Sequence, residues 1–260
     1  MAYKNKLQDA RVVVFGATSG IGFAVASLCL AQGAIVTISG SNQARLDNAI
    51  TRLQSFYPSL SSDRISSHVC DLSDPERLEE RLKTLFGTVT NNGANKISHI
   101  AFTAGDSFTL PKLSDVTPES YFSMSKVRVL GPLIIAKLLT SGKYMDSSPT
   151  NSFTLTGGAN TQKPRPNCFF LSTVGSSVQG LMRGLAVDLA PIRVNIVEPG
   201  AIDTELLQGL PQVAKDDWKA STLVGALGDP SSTAEAYAYA MRDNFATGSV
   251  IETNGGYLLK

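Results

Sequence analysis

Apolar residues along this 260-residue chain arrive in two alternating rhythms. Short runs rich in β-branched types stand at residues 12–15, 35–39, 65–70, 97–102, 153–156, 193–197 and 249–252. Runs this short and apolar predict buried strands. Between them lie stretches with apolar residues three and four apart, the spacing of one helix face. These cover residues 21–32, 43–56 (Leu46, Ile50, Leu53), a segment starting near Asp74-Pro75 (Leu78, Leu82, Leu85), 118–140 (Met124, Val127, Leu130, Ile134, Leu138), 172–189 (Val178, Leu181, Leu185, Leu189) and 233–242. Pro132 is expected to kink the longest of them, because it has no N–H for the helical ladder. Residues 88–95 read as a surface loop and 205–227 as irregular chain. Strands alternating with helices predict an α/β fold, a doubly wound parallel sheet of about seven strands in one domain spanning 1–260. Ligands in such folds sit at the carboxyl ends of the strands.

The turn after the first strand carries Gly16-x-x-x-Gly20-Ile21-Gly22 and leads straight into the first helix. Glycines there let backbone approach a pyrophosphate, and the free N–H groups of the helix start favour negative charge. Gly16, Thr18, Ser19 and Ile21 are therefore candidate dinucleotide-binding residues of a Rossmann-type unit. After the second strand stand Gly40, Ser41 and Asn42, then Arg45, with no acid before Asp47. An acid would bind the ribose diol of NAD, whereas small polar groups with a guanidinium suit a 2′-phosphate. NADP(H) is the expected cofactor. Ser41 and Asn42 have a second reading, as the turn that caps the next helix. Asp71, at the end of the third strand, is placed to accept a hydrogen bond from an adenine amino group or to serve as a loop acid and cap.

Composition narrows the partners. Lys and Arg total 23 against 22 for Asp and Glu, a formal charge of +1, so the basic surplus that nucleic acid demands is missing. No apolar run approaches the ~20 residues of a membrane span. The first residues lack the apolar core of a secretory signal, and a cytoplasmic location is expected. Cys29, Cys70 and Cys168 lack metal-ligand spacing and are odd in number, which fits reduced thiols. His68 and His99 are isolated, so no metal site is expected.

The motifs in order resemble the short-chain dehydrogenase/reductase family over nearly the whole chain. The likeness rests on the glycine turn, Asp71-Leu72, Ala104-Gly105, Gly180-Leu181-x-Arg183-Gly184, Ile192-Arg193-Val194-Asn195, Pro199-Gly200-Ala201-Ile202-x-Thr204 and Thr247-Gly248 through Asn254-Gly255-Gly256. The resemblance implies that Ile202 and Thr204 flank a nicotinamide carboxamide, with Pro199 and Gly200 beside them. It places Asp71 and Leu72 at the adenine, and Ala104 and Gly105 along the cofactor. It further implies a homodimer or homotetramer formed through the 118–140 and 172–189 helices.

The family's catalytic positions do not carry the family's residues. Leu171 stands at the tyrosine position, Gly175 at the lysine, Gly157 or Gly158 at the serine, and Arg128 at the structural asparagine. Hydride addition to a ketone leaves a basic alkoxide, and without a positioned acid that step loses roughly 10²–10⁴-fold. Ordinary carbonyl reduction is excluded on that ground. An iminium acceptor becomes a neutral amine on taking hydride and needs no proton in that step. Arg128 and the Thr-Gly-Gly…Lys-Pro-Arg-Pro loop resemble a fungal secondary-metabolism subgroup of NADPH-dependent enzymes. That subgroup combines iminium-type reduction of alkaloid precursors with an intramolecular Diels–Alder cyclisation. A cycloaddition asks for shape and electrostatic preorganisation more than acid–base groups.

Arg128 and Asn167 are the candidate catalytic residues on this reading, with Arg128 also gripping the cofactor through its planar donor fork. The alternative for Arg128 is a structural pairing to backbone that fills the vacated space. Phe102, Phe169, Phe170, Leu171, Leu206 and Trp218 are candidate pocket residues for a bulky hydrophobic substrate, under a lid at about 205–228. Lys163 and Arg165 read as a solvated loop. A second function class stays open, a non-catalytic NADP(H) binder or assembly partner, since fold does not dictate function.

Overall fold

A computed structural model describes residues 2, 4–105 and 111–260. Its seven strands are β1 (Arg11–Phe15), β2 (Ile35–Gly40), β3 (Ile65–Val69), β4 (His99–Phe102), β5 (Ser152–Thr156), β6 (Arg193–Pro199) and β7 (Val250–Thr253). They form one parallel sheet in the order β3-β2-β1-β4-β5-β6-β7. The order reverses between β1 and β4, which opens the crevice where ligands of such sheets bind.

Alternation along the strands builds two cores. Val13, Phe15, Ile100, Phe153 and Ile196 face one side, against α3 (Leu78–Val89), α5 (Gly131–Leu139) and α6 (Phe169–Asp188). Val12, Val14, Val36, Ile38 and Val197 face the other, against α1 (Gly20–Ala31), α2 (Gln43–Phe56) and α9 (Pro230–Arg242). At the foot of β6 the buried Arg193 donates to the carbonyls of Pro149, Ala240, Met241 and Ala246, and Asn195 donates to Ala246 as well. The Arg-Val-Asn motif is therefore a clamp that closes β6 onto the end of α9.

Four local expectations change. The long helix is three pieces: α4 (Pro118–Ser125), a π turn over Lys126–Leu130, and α5. The Gly131 N–H reaches back to Lys126, a five-residue step. Pro132 has no N–H for the carbonyl four residues behind it, and the ladder changes step just ahead of it. Residues 205–227 are not irregular but carry α7 (Glu205–Gln208) and α8 (Gln212–Ala220). Neither has a fully buried residue, and at four and nine residues both are too short to show a repeated apolar period. Helix α6 begins at Phe169 rather than 172, and α3 at Leu78 rather than near 74. No helix among the described residues is long and apolar enough to cross a membrane.

Candidate functional site

The glycine turn is a backbone construction. Gly16 adopts φ +79°, and a Cβ there would stand 2.6 Å from the Ala104 nitrogen, so the β1 turn lies directly on the chain leaving β4. A Cβ on Gly22 would overlap the Thr103 hydroxyl, which itself donates to the Phe15 carbonyl at 2.7 Å. Ser19 stands at the N-cap of α1 in extended conformation and gives the helix no side-chain cap. The Gly20 N–H instead donates to Oε2 of Glu205 on α7, at 3.0 Å. Thr18 leans its methyl toward Gly40 at the end of β2. Gly16, Thr18, Ser19, Ile21, Ala104 and Gly105 thus meet at one edge of the sheet.

Next to them, Asn42 takes the capping role: its Oδ1 accepts the Arg45 N–H at 3.0 Å and starts α2. That oxygen is committed to the helix start, and Ser41, Asn42 and Arg45 are all exposed at the end of β2. The Asp71 carboxylate accepts from the Ser73 hydroxyl (2.7 Å) and N–H (3.0 Å), and it pairs with Arg81 at 3.2 Å. The Ser73 bonds first, then Arg81, hold it below the usual carboxylate range. Leu72 is buried in the core beside Gly131, so only its backbone faces the crevice.

The Pro199-Gly200 turn is fixed by the Gly200 N–H on the Thr253 carbonyl. Beyond it, Ile202 pairs with Gly228. The Asp203 N–H bonds the Gly228 carbonyl, and the Gly228 N–H bonds that of Ala201. Both ends of the 205–228 segment, the expected lid, are pinned there, with Thr204 against Gly20.

At the catalytic end the four positions are filled differently. Gly158 has open space where a side chain would start, its nearest neighbour being the Pro199 carbonyl at 3.9 Å. Gly157 backs onto Glu198, whose Oε1 would lie 3.0 Å from a Cβ. The Thr161 hydroxyl sits against Gly175, where a lysine stem would begin, and Leu171 is half-buried. Arg128 lies in the π turn with its guanidinium laid on Gly105. Two buried atoms on the turn after β5, Asn160 Oδ1 and Thr161 Oγ1, have no hydrogen-bond partner among the described residues.

Glu198 escaped the sequence reading because an acid before Pro-Gly looks like loop. It is buried and accepts the side-chain amides of Gln179 at 3.1 Å and Gln162 at 3.2 Å. Burial raises its pKa against those two amides. Gln162 also reaches Glu252 at 2.8 Å, tying the turn to β7.

The pocket residues divide. Phe102 is core: it is 3% exposed and stacked on Phe15 at 5.6 Å, with its ring edge on Gly131. Alternation along β4 turns it inward, which its place near the strand end had hidden. Phe170 is core as well, 2% exposed and stacked at 4.8 Å on the half-buried Phe169 at the start of α6, whereas Leu206 is exposed on α7. Trp218 on α8 lies under the Arg165 guanidinium at 4.2 Å and 5.9 Å from the Tyr257 ring. Lys163 donates to the Tyr257 carbonyl, and Arg165 pairs with Asp217. These two cations are not a solvated loop; they strap the lid to the turn after β5 and to the C-terminal turn. Asn167 is exposed, in the left-handed region at φ +62°.

A model of the SDR-like Rossmann domain matches residues 3–260. The chain belongs to the short-chain dehydrogenase/reductase family. Its relatives include the short-chain dehydrogenase/reductase malC of Malbranchea aurantiaca, 39% identical over 99% of this chain and 97% of that one. Another is fsr5 of Gibberella fujikuroi, 37% identical over 99% and 97%. The solved structure of the MalC reductase/Diels–Alderase superposes with TM-score 0.91 over 98% of this chain and 99% of its own. A short-chain dehydrogenase of Burkholderia cenocepacia in complex with NADP shares the fold at 21% identity and TM-score 0.82, covering 97% of this chain and 99% of its own. The fungal reductase/Diels–Alderase likeness read from the motifs therefore extends over the whole chain. The fold is that of a nicotinamide-dinucleotide-binding oxidoreductase. The glycine turn fits such a cofactor, since the start of α1 already attracts a carboxylate.

Proposed function

We propose that this chain is an NADPH-dependent reductase of an activated, iminium-type acceptor in secondary metabolism, and that its apolar pocket also shapes an intramolecular Diels–Alder closure. One juxtaposition carries the reading: a close-packed glycine turn at the start of α1, and Leu171, Gly175 and Gly157 or Gly158 where the resemblance would put the groups that protonate an alkoxide. The bound cofactor would supply hydride. The chain would hold its phosphates at the start of α1, face its 2′-phosphate with Ser41 and Arg45, and exclude water with the lid. Arg128 would orient the acceptor with its guanidinium fork. Asn167 would add a hydrogen bond from the loop before α6. The exposed Phe122, Leu133 and Val187 on α4, α5 and α6 support assembly into a homodimer or homotetramer.

A non-catalytic NADP(H) binder is the second reading, favoured by Thr161 closing the lysine position so tightly.

Fluorescence titration with NADPH and NADH tests the cofactor first; selective NADPH binding is expected. Oxidation of NADPH followed at 340 nm with cyclic iminium salts then separates enzyme from binder, and simple ketones should be inert. Arg128→Ala should slow iminium-dependent oxidation by roughly tenfold or more, while Leu171→Ala should chiefly change KM. NADPH binding without oxidation of any iminium would favour the non-catalytic reading.

A further inference from the structure

Glu205 opens α7 at the root of the lid, and its carboxylate takes the first free N–H of α1, at Gly20, across 3.0 Å. Helix α1 receives no side-chain cap from Ser19, so its first N–H groups are open to another acceptor. The anion at this helix start comes instead from 185 residues along the chain. Helix-start N–H groups and the helix dipole favour one anion there, and a dinucleotide brings its phosphate to the same glycine turn.

The contact is mechanically tied to the lid. A Cβ on Gly20 would lie 3.0 Å from Thr204 Cγ2, so the residue before Glu205 also rests on the turn. The hydrogen bonds joining Ala201, Asp203 and Gly228 fix both lid roots. Displacing the Glu205 carboxylate removes one of the two contacts that hold this lid root on the turn, at the start of the segment that carries the chain's single tryptophan, Trp218.

We propose that Glu205 is a lid-positioning residue: its carboxylate holds the phosphate cradle until a dinucleotide phosphate displaces it, so that cofactor entry moves the lid. This rests on the dinucleotide-binding reading. The test titrates wild type and Glu205→Gln at low ionic strength with NADPH and with 2′-AMP, which lacks the pyrophosphate. Trp218 fluorescence reports the lid and calorimetry the affinity. Removing the competing charge should tighten NADPH by about two- to fivefold and leave 2′-AMP unchanged. The Trp218 change on adding NADPH should be clear in wild type and smaller in the variant. NADPH binding that is equal or weaker in Glu205→Gln overturns the coupling alone, as does an equal gain for 2′-AMP. Failure of both chains to bind NADPH overturns the coupling together with the cofactor reading.

Discussion

The β1–α1 end of the crevice and the β5–α6 end are built from different materials. The first consists of backbone: Gly16 pressed on Ala104, Gly22 on Thr103, and an open helix start. The second is, in this family, a set of side chains, and on the proposed reading the positions here carry Leu171, Gly175 and Gly157 or Gly158. A backbone cradle cannot drift without breaking the sheet beneath it. A side-chain constellation can be emptied and refilled while α6 keeps its place, as Thr161 against Gly175 illustrates. Cofactor binding and proton delivery are thus separable properties of one fold.

The sharpest way to break that contrast is Gly16→Ala. Its left-handed φ and the 2.6 Å approach of Ala104 backbone leave no room for a methyl. The variant should lose at least about 1–3 kcal/mol of stability, read as a drop in Tm, and lose NADPH binding with it. A variant that still binds NADPH like wild type would show that the cradle tolerates side chains after all.

A smaller effect is expected at the other end. Gly175→Lys must push against Thr161 and should cost about 1–3 kcal/mol as overpacking. Adding Thr161→Gly should return much of that loss, a coupling that denaturant unfolding of the two single variants and the double would expose. Placing tyrosine at 171 and serine at 158 as well should restore measurable ketone reduction only with Thr161→Gly. Ketone activity without that change would mean Thr161 does not guard the position.

The smallest effect concerns Glu198, behind Gly157. Its folded pKa is raised above the ordinary 4.5, so the native state holds that proton more tightly than the unfolded chain. Its contribution to stability is present below 4.5 and is lost as pH rises through the raised value. Glu198→Gln should remove this loss, so the stability gained between pH 4 and pH 8, when the carboxylates of lowered pKa such as Asp71 ionise, should be larger in the variant than in wild type by urea unfolding. An unchanged difference would show that the carboxylate is ionised at no cost.

Much of this was legible in the chain. Each strand and each main helix announced itself by local period, because burying one face of a helix or both faces of a parallel strand constrains residues close in sequence. The glycine turn was legible for the same reason, since conformation and close approach are written in the absence of Cβ. Helices α7 and α8 were not, because they are too short to repeat an apolar period and none of their residues is fully buried. Phe102 was misplaced because a residue near a strand end can face core or crevice, and only its packing on Phe15 decides which.

The sequence by itself therefore determined the α/β architecture, the family and the glycine turn after β1. The tertiary structure alone decided what packs around the β5–α6 end and what meets the glycine turn. Thr161 against Gly175, Glu198 behind Gly157, Arg165 over Trp218 and Glu205 on Gly20 each join residues far apart in the chain. No local period records such pairs, because their energy comes from side chains that meet only once the sheet has brought its carboxyl ends together.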